Sequence, residues 1–236
     1  MTETPSTMPD HTADDSSTDG PHYTQAASDP TRRSATLEDI RGVYADQAER
    51  FARLDALNRL FTGRYRRRLF GRAEGRVLDV ACGTGLNARY LPESTEYVGI
   101  DISPEMLAQA RERLDGTGRE HALQEMDAQA LDFPDDSFDT VVSSLSTCTF
   151  PDPQAALAEM NRVCAPDGRV LLLEHGRSDV SLVGRLQDWR AETHFENHAC
   201  RLTQEPLAVV GDSPLRIEES TSTLLGVVTA IEARPG

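Results

Sequence analysis

The run Arg76 to Leu91, RVLDVACGTGLNARYL, followed by VGID at Val98 to Asp101, decides the fold. Val77, Leu78, Val80 and Ala81 form a near-continuous apolar run, the composition of a strand buried on both faces of a parallel sheet with helices on each side. Gly83 and Gly85 let the backbone turn sharply and approach a ligand with no Cβ in the way, and helical spacing resumes at Leu86. Asp101 follows Asp79 by roughly 20 residues, the span of one βαβ step, where a carboxylate accepts hydrogen bonds from ribose hydroxyls. These residues describe a pocket for an adenosine-containing cofactor.

Gly83, Gly85 and Ala88 also satisfy the GxGxxG/A pattern of a dinucleotide site, so the glycines alone do not identify the cofactor. Asp79 separates the possibilities. A fixed carboxylate beside the turn opposes a pyrophosphate, whereas S-adenosylmethionine carries no phosphate and presents a cationic ammonium and sulfonium. Asp79 is therefore expected to order the turn and to meet the ligand ammonium directly or through water.

Outward from this stretch the elements alternate. Strands are predicted near Arg76 to Ala81, Glu96 to Ile100, Ala122 to Met126, Phe138 to Ser143 and Arg169 to Glu174, with helices at Pro104 to Leu114 and Asp152 to Cys164. Ser103 and Asp152 are the N-caps, with Pro104 in the first helical turn, and APDG at Ala165 to Gly168 reads as a helix stop and turn. Ser181 to Gly211 is mainly helical, and Leu215 to Glu219 can pair with Leu224 to Ala233 as a hairpin across a TST link. Upstream, apolar residues at helical intervals from Leu37 to Phe70 predict two amphipathic helices forming a lid or flank over the pocket. Met1 to Ser34, rich in Thr, Ser, Asp and Pro, reads as a disordered acidic tail, leaving residues 35–236 as one domain.

The quoted motifs, together with GIDISPEMLAQAR, MDAQALDFPDDSFDTVVSS and APDGRVLLLEHG, resemble the class I S-adenosylmethionine-dependent methyltransferases. The resemblance runs from about Thr36 to the C terminus. Within that superfamily the chain is similar to the small-molecule branch holding the ubiquinone and menaquinone methyltransferases and the thiol S-methyltransferase-like proteins. YADQAERFARLDALNRL resembles the N-terminal helices of the quinone enzymes, and SLSTCTF and LLLEHG resemble the thiol-methylating group. CRLTQEP departs from the latter, where an Asn-Arg-acid run is expected. The resemblance implies a Rossmann-like seven-stranded α/β sheet, parallel except for its last strand. It also places Asp127 and Ala128 at the adenine, the carboxylate accepting from the amino group and the backbone amide donating to the ring.

Ligands in such sheets bind outside the carboxyl ends of the strands, which gathers Asp79, Gly83, Asp101, Asp127 and Ser143 around one crevice. Ala81, Gly85, Ile102, Ala128 and Ser144 complete the expected cofactor-binding set. Methyl transfer from a sulfonium needs mainly an aligned nucleophile, and ideal positioning supplies up to roughly 7–11 kcal/mol, so a dedicated base is not required. Candidates to deprotonate a thiol or hydroxyl acceptor are Glu174 and His175 at the fifth strand's end and Cys148 in the loop after the fourth; each also has a structural reading.

Metal ligation is not expected. Cys82, Cys148, Cys164 and Cys200 lack CxxC spacing, and HFENH at His194 to His198 lacks the HExxH order. With no secretory segment and no apolar run of about 18 residues, the expected location is the reducing cytoplasm. The formal net charge is −15, from 39 acidic residues against 24 arginines and no lysine. Such a surface disfavours nucleic acid as a partner, favours small substrates and resembles that of proteins adapted to concentrated salt. Arg64-Tyr65-Arg66-Arg67-Arg68 reads as a solvated helix face, or as a peripheral lipid contact serving an apolar substrate. Two other readings stay open: an S-adenosylmethionine-binding protein without turnover and a dinucleotide-dependent oxidoreductase.

Overall fold

The computed structural model describes residues 35–236; the expected acidic tail lies outside the described residues. Seven strands form one sheet: β1 (Arg76–Val80), β2 (Glu96–Asp101), β3 (His121–Glu125), β4 (Phe138–Ser144), β5 (Cys164–His175), β6 (Arg216–Thr223) and β7 (Val228–Arg234). The spatial order is β3-β2-β1-β4-β5-β7-β6, parallel through β5, with β7 antiparallel to β5 and to β6. The order reverses between β1 and β4, the switch point where a crevice opens at the carboxyl ends of the strands.

The central strands are apolar on both faces because the sheet is covered on both. Leu78, Val80, Val98, Ile100, Val141, Val170 and Leu172 point into one core, closed by Ala156, Leu157, Met160 and Val163 at α3 (Pro153–Val163). Val77, Tyr97, Val142, Leu171 and Leu173 point into the other. It is closed by Leu69 and Phe70 of α1 (Leu37–Phe70) and Leu114 of α2 (Pro104–Asp115). The assignment alternates residue by residue, as the period of two requires. Ser103 caps α2 by accepting from the Met106 amide, and Asp152 caps α3 by accepting from Gln154 and Ala155.

Four local expectations are corrected. The two predicted N-terminal helices are one continuous 34-residue helix, α1. The stretch between their apolar clusters, Ala45 to Arg50, contains neither Pro nor Gly, and nothing interrupts the backbone ladder. The segment after Gly85 is a short 3-10 helix, Leu86–Tyr90. APDG is no free turn: β5 begins directly at Cys164, and the residues between the pairs Phe138↔Cys164 and Thr140↔Arg169 are absorbed as a bulge. Finally, Thr221, Ser222 and Thr223 continue β6 rather than linking two strands, since alternating β-branched residues suit a strand. The hairpin turns at Leu224, Leu225 and Gly226, all at positive φ. α4 (Ser181–His198) and α5 (Pro206–Gly211) supply the expected helical insert. Among the described residues no helix is long and apolar enough to cross a membrane.

Candidate active site

The chain leaves β1 through a tight cradle. Ala81, Gly83 and Gly85 all take left-handed backbone conformations, with φ of 52°, 54° and 72°. A Cβ on Gly85 would come within 3.2 Å of the Ala110 Cβ, so this glycine lets α2 close on the turn. A Cβ on Gly83 would meet no protein atom within 4 Å, because that side of the turn is open. Asp101, at the end of β2, stitches the cradle together: one oxygen accepts from the Gly83 amide at 2.8 Å and the other from the Ser103 amide at 2.9 Å. Burial raises its pKa, and those backbone hydrogen bonds oppose the shift.

Above the cradle lies a cavity partly open to solvent. Of the expected cofactor residues, Ala81, Gly83, Asp101, Ile102, Asp127, Ala128 and Ser144 line it. Asp127 is held in an Asx turn by the Gln129 amide at 2.9 Å. Gly85 is buried and lies outside the lining. Ser143 is fully buried, donating to the Val80 carbonyl at 2.7 Å.

Asp79 also lies behind the wall. It is fully buried and both oxygens are engaged, one by Asn87 Nδ2 at 2.9 Å and the other by the Tyr97 hydroxyl at 2.8 Å. Gly99 makes room for that tyrosine, since a Cβ there would sit 3.0 Å from the hydroxyl. Burial pushes the Asp79 pKa up to about 6, while its two hydrogen bonds pull it down. The carboxylate expected to meet a ligand ammonium directly or through water lies outside the cavity lining. Asp79 fixes the Asn87 amide, turning its carbonyl oxygen to accept from Ser144 Oγ at 3.1 Å and from Arg66.

Arg66 is the site residue that pattern reading missed. It belongs to the Arg64 to Arg68 run, but only Arg64, Arg67 and Arg68 are exposed. Arg66 is 2% exposed, lines the cavity and donates to Ser144 Oγ at 2.7 Å and to Thr62 Oγ1 at 3.0 Å. No motif marks it; a helical projection placing it on the Thr62, Leu69 face would have been the only signal. Asp55, also on α1, lines the same cavity, accepts from Thr84 Oγ1 at 2.9 Å and pairs with Arg113. Asn58 of α1 lines it as well, and Leu37, Ile40, Tyr44 and Phe51 form the apolar part of that wall, the last two rings stacked at 5.7 Å.

The structure does not bring the three candidate bases to the cavity. Glu174 is fully buried and accepts from the Ser146 amide at 3.2 Å and the Thr147 amide at 3.4 Å, tying down the loop after β4. Burial raises its pKa. Cys148 and His175 lie outside the lining too, but next to each other: His175 Nε2 is 3.1 Å from Cys148 Sγ and 3.2 Å from Cys200 Sγ, with the sulfurs 3.3 Å apart.

A family model described as "Methyltransferase domain" matches residues 78–172, the span from β1 into β5. Phosphatidylethanolamine N-methyltransferase of Cereibacter sphaeroides is 39% identical over 152 residues, 60% of this chain and 74% of that protein. Demethylmenaquinone methyltransferase of Thermus thermophilus is 43% identical over 133 residues, 52% of this chain and 60% of that protein. The chain thus spans only part of the length of these relatives. A chain of the complex between the Haloferax volcanii Trm112 methyltransferase activator and its methyltransferase partner superposes with a TM-score of 0.69 at 19% identity, covering 83% of this chain and 97% of that one. Strand order, the cradle after β1 and these relatives agree: the chain belongs to the class I S-adenosylmethionine-dependent methyltransferases, and S-adenosylmethionine is its methyl donor.

Proposed function

We propose that the chain transfers a methyl group to a small, apolar acceptor of the quinol, thiol or lipid-like class by in-line displacement. The carrying observation is the two-sided character of one cavity. Carboxylates and bare glycine backbone lie at the strand ends, and Leu37, Ile40, Tyr44, Phe51 and Phe150 form an apolar side against them. The two relatives' names point to acceptors of the same kind, a phospholipid and a quinone precursor.

The residues present fit the cofactor. The open side of Gly83 admits a ligand against the backbone, Asp101 retains lone pairs for ribose hydroxyls, and Asp127 and the Ala128 amide stand at the adenine end. Arg66, desolvated and aimed by Asn87 and Ser144, is the cationic group among the described lining residues and suits an amino-acid carboxylate. When bound, S-adenosylmethionine supplies an electrophilic methyl on a sulfonium. The chain's part is to hold an acceptor against the α1 wall, exclude water there and leave proton removal to the acceptor's own acidity or to solvent.

Transfer of labelled methyl from S-adenosylmethionine to an extract of small molecules at high salt tests this, with product mass naming the acceptor. Label appearing only in polar, water-soluble products would refute the apolar acceptor.

A further inference from the structure

Three segments far apart in the chain deliver soft ligand atoms to one buried point. Cys148 comes from the loop after β4, His175 from the end of β5 and Cys200 from just beyond α4. Cys148 is 1% and Cys200 8% exposed. The three ligand atoms form a near-equilateral triangle with edges of 3.1, 3.2 and 3.3 Å. The sulfur–sulfur edge is below the roughly 3.5–4.0 Å at which even carbon atoms rest against each other. A tetrahedral zinc with Zn–S near 2.3 Å and Zn–N near 2.0–2.1 Å needs edges of about 3.6–3.8 Å, so an opening of about half an ångström per edge would seat the ion.

We propose that Cys148, His175 and Cys200 bind a zinc-class divalent cation, and that this centre ties the loop after β4 to the end of α4. Two thiolates and imidazole are the donor set that selects zinc over the hard cations.

The surrounding backbone is built to hold the triangle. Ala199, at a φ of 50°, turns the chain out of α4 so that Cys200 enters the cluster. The next residue then clamps the opposite loop: the Cys148 carbonyl accepts from the Arg201 amide at 3.0 Å, and the Phe150 carbonyl from its guanidinium at 2.8 Å. Leu145, Ser146, Thr149 and Phe150 of that loop line the cavity, so the centre would fix one wall of the acceptor site without touching the acceptor. Loading releases two protons from the Cys-His-Cys cluster and involves no change of oxidation state.

The test uses the untagged, reduced full chain stripped with a chelator and titrated with Co2+. Thiolate-to-cobalt charge transfer and the visible bands of tetrahedral cobalt should saturate at about one equivalent and be abolished by competing Zn2+. Affinity should fall by more than roughly 100-fold in Cys200→Ser and in Cys148→Ser, and remain in Cys164→Ser. Should the first two variants fail to fold, alkylation mapping of the wild type replaces them. There Zn2+ should protect Cys148 and Cys200 while leaving Cys82 and Cys164 as reactive as without metal. Absence of the charge-transfer band, binding retained in both serine variants, or unprotected Cys148 and Cys200 would overturn the site. So would a Cys148–Cys200 disulfide forming in air in a protein that takes up no cobalt, which would identify a redox pair instead.

Discussion

Asp101 and Asp79 are both strand-end carboxylates, yet the structure gives them different work. Asp101 faces the cavity while accepting two backbone hydrogen bonds, so Asp101→Ala should weaken S-adenosylhomocysteine binding at least tenfold in calorimetry. It should also cost about 1–3 kcal/mol of stability, because the buried Ser103 amide and the partly buried Gly83 amide lose their acceptor. Unchanged affinity would remove the ribose assignment. Asp79 acts through pH. Its folded pKa of about 6 lies above the unfolded carboxylate value, so between about pH 4 and 6 the folded chain holds a proton that the unfolded chain has released. The stability contribution of this group is therefore complete below about pH 4 and lost as pH rises through about 6. Asp79→Asn should flatten that part of the melting-temperature profile relative to wild type, and parallel profiles would show that Asp79 does not titrate there. The positions of both residues were legible in the strand–turn–strand pattern. Their division of labour was not, since it depends on Tyr97 and Asn87 reaching Asp79 from one side.

At the scale of elements, the sheet and its helices follow from period and caps, and α1 shows where that reading stops. Apolar spacing announces an amphipathic helix, but neither its continuity nor Arg66 on its buried face is visible without the sheet it packs on. The helix starts with a capping box, Thr36 accepting from the Asp39 amide at 3.2 Å while the Asp39 carboxylate accepts from Thr36 N at 2.9 Å. Leu37 and Ile40, in the first turns, line the apolar side of the cavity. Thr36→Ala should therefore lower stability by about 1 kcal/mol and speed hydrogen exchange over the first turns of α1. It should raise KM for the acceptor more than for S-adenosylmethionine, and equal changes in the two constants would argue against α1 as the acceptor wall.

Across the whole molecule, a net charge of −15 without lysine creates self-repulsion that dissolved salt screens. The melting temperature should fall steadily as KCl is withdrawn, and a salt-independent value would contradict adaptation to concentrated salt. The run from Arg76 to Asp101 by itself determined the parallel sheet, the glycine cradle and the adenosine-cofactor class, because periodicity, backbone permissiveness and carboxylate placement are local properties. Tertiary structure alone decided what stands around the cradle: Arg66 and Asp55 in the cavity, Glu174 behind its wall, and Cys148, His175 and Cys200 at one point. Those relations join segments tens of residues apart, and only the packing of α1, β5 and α4 around the sheet sets their distances.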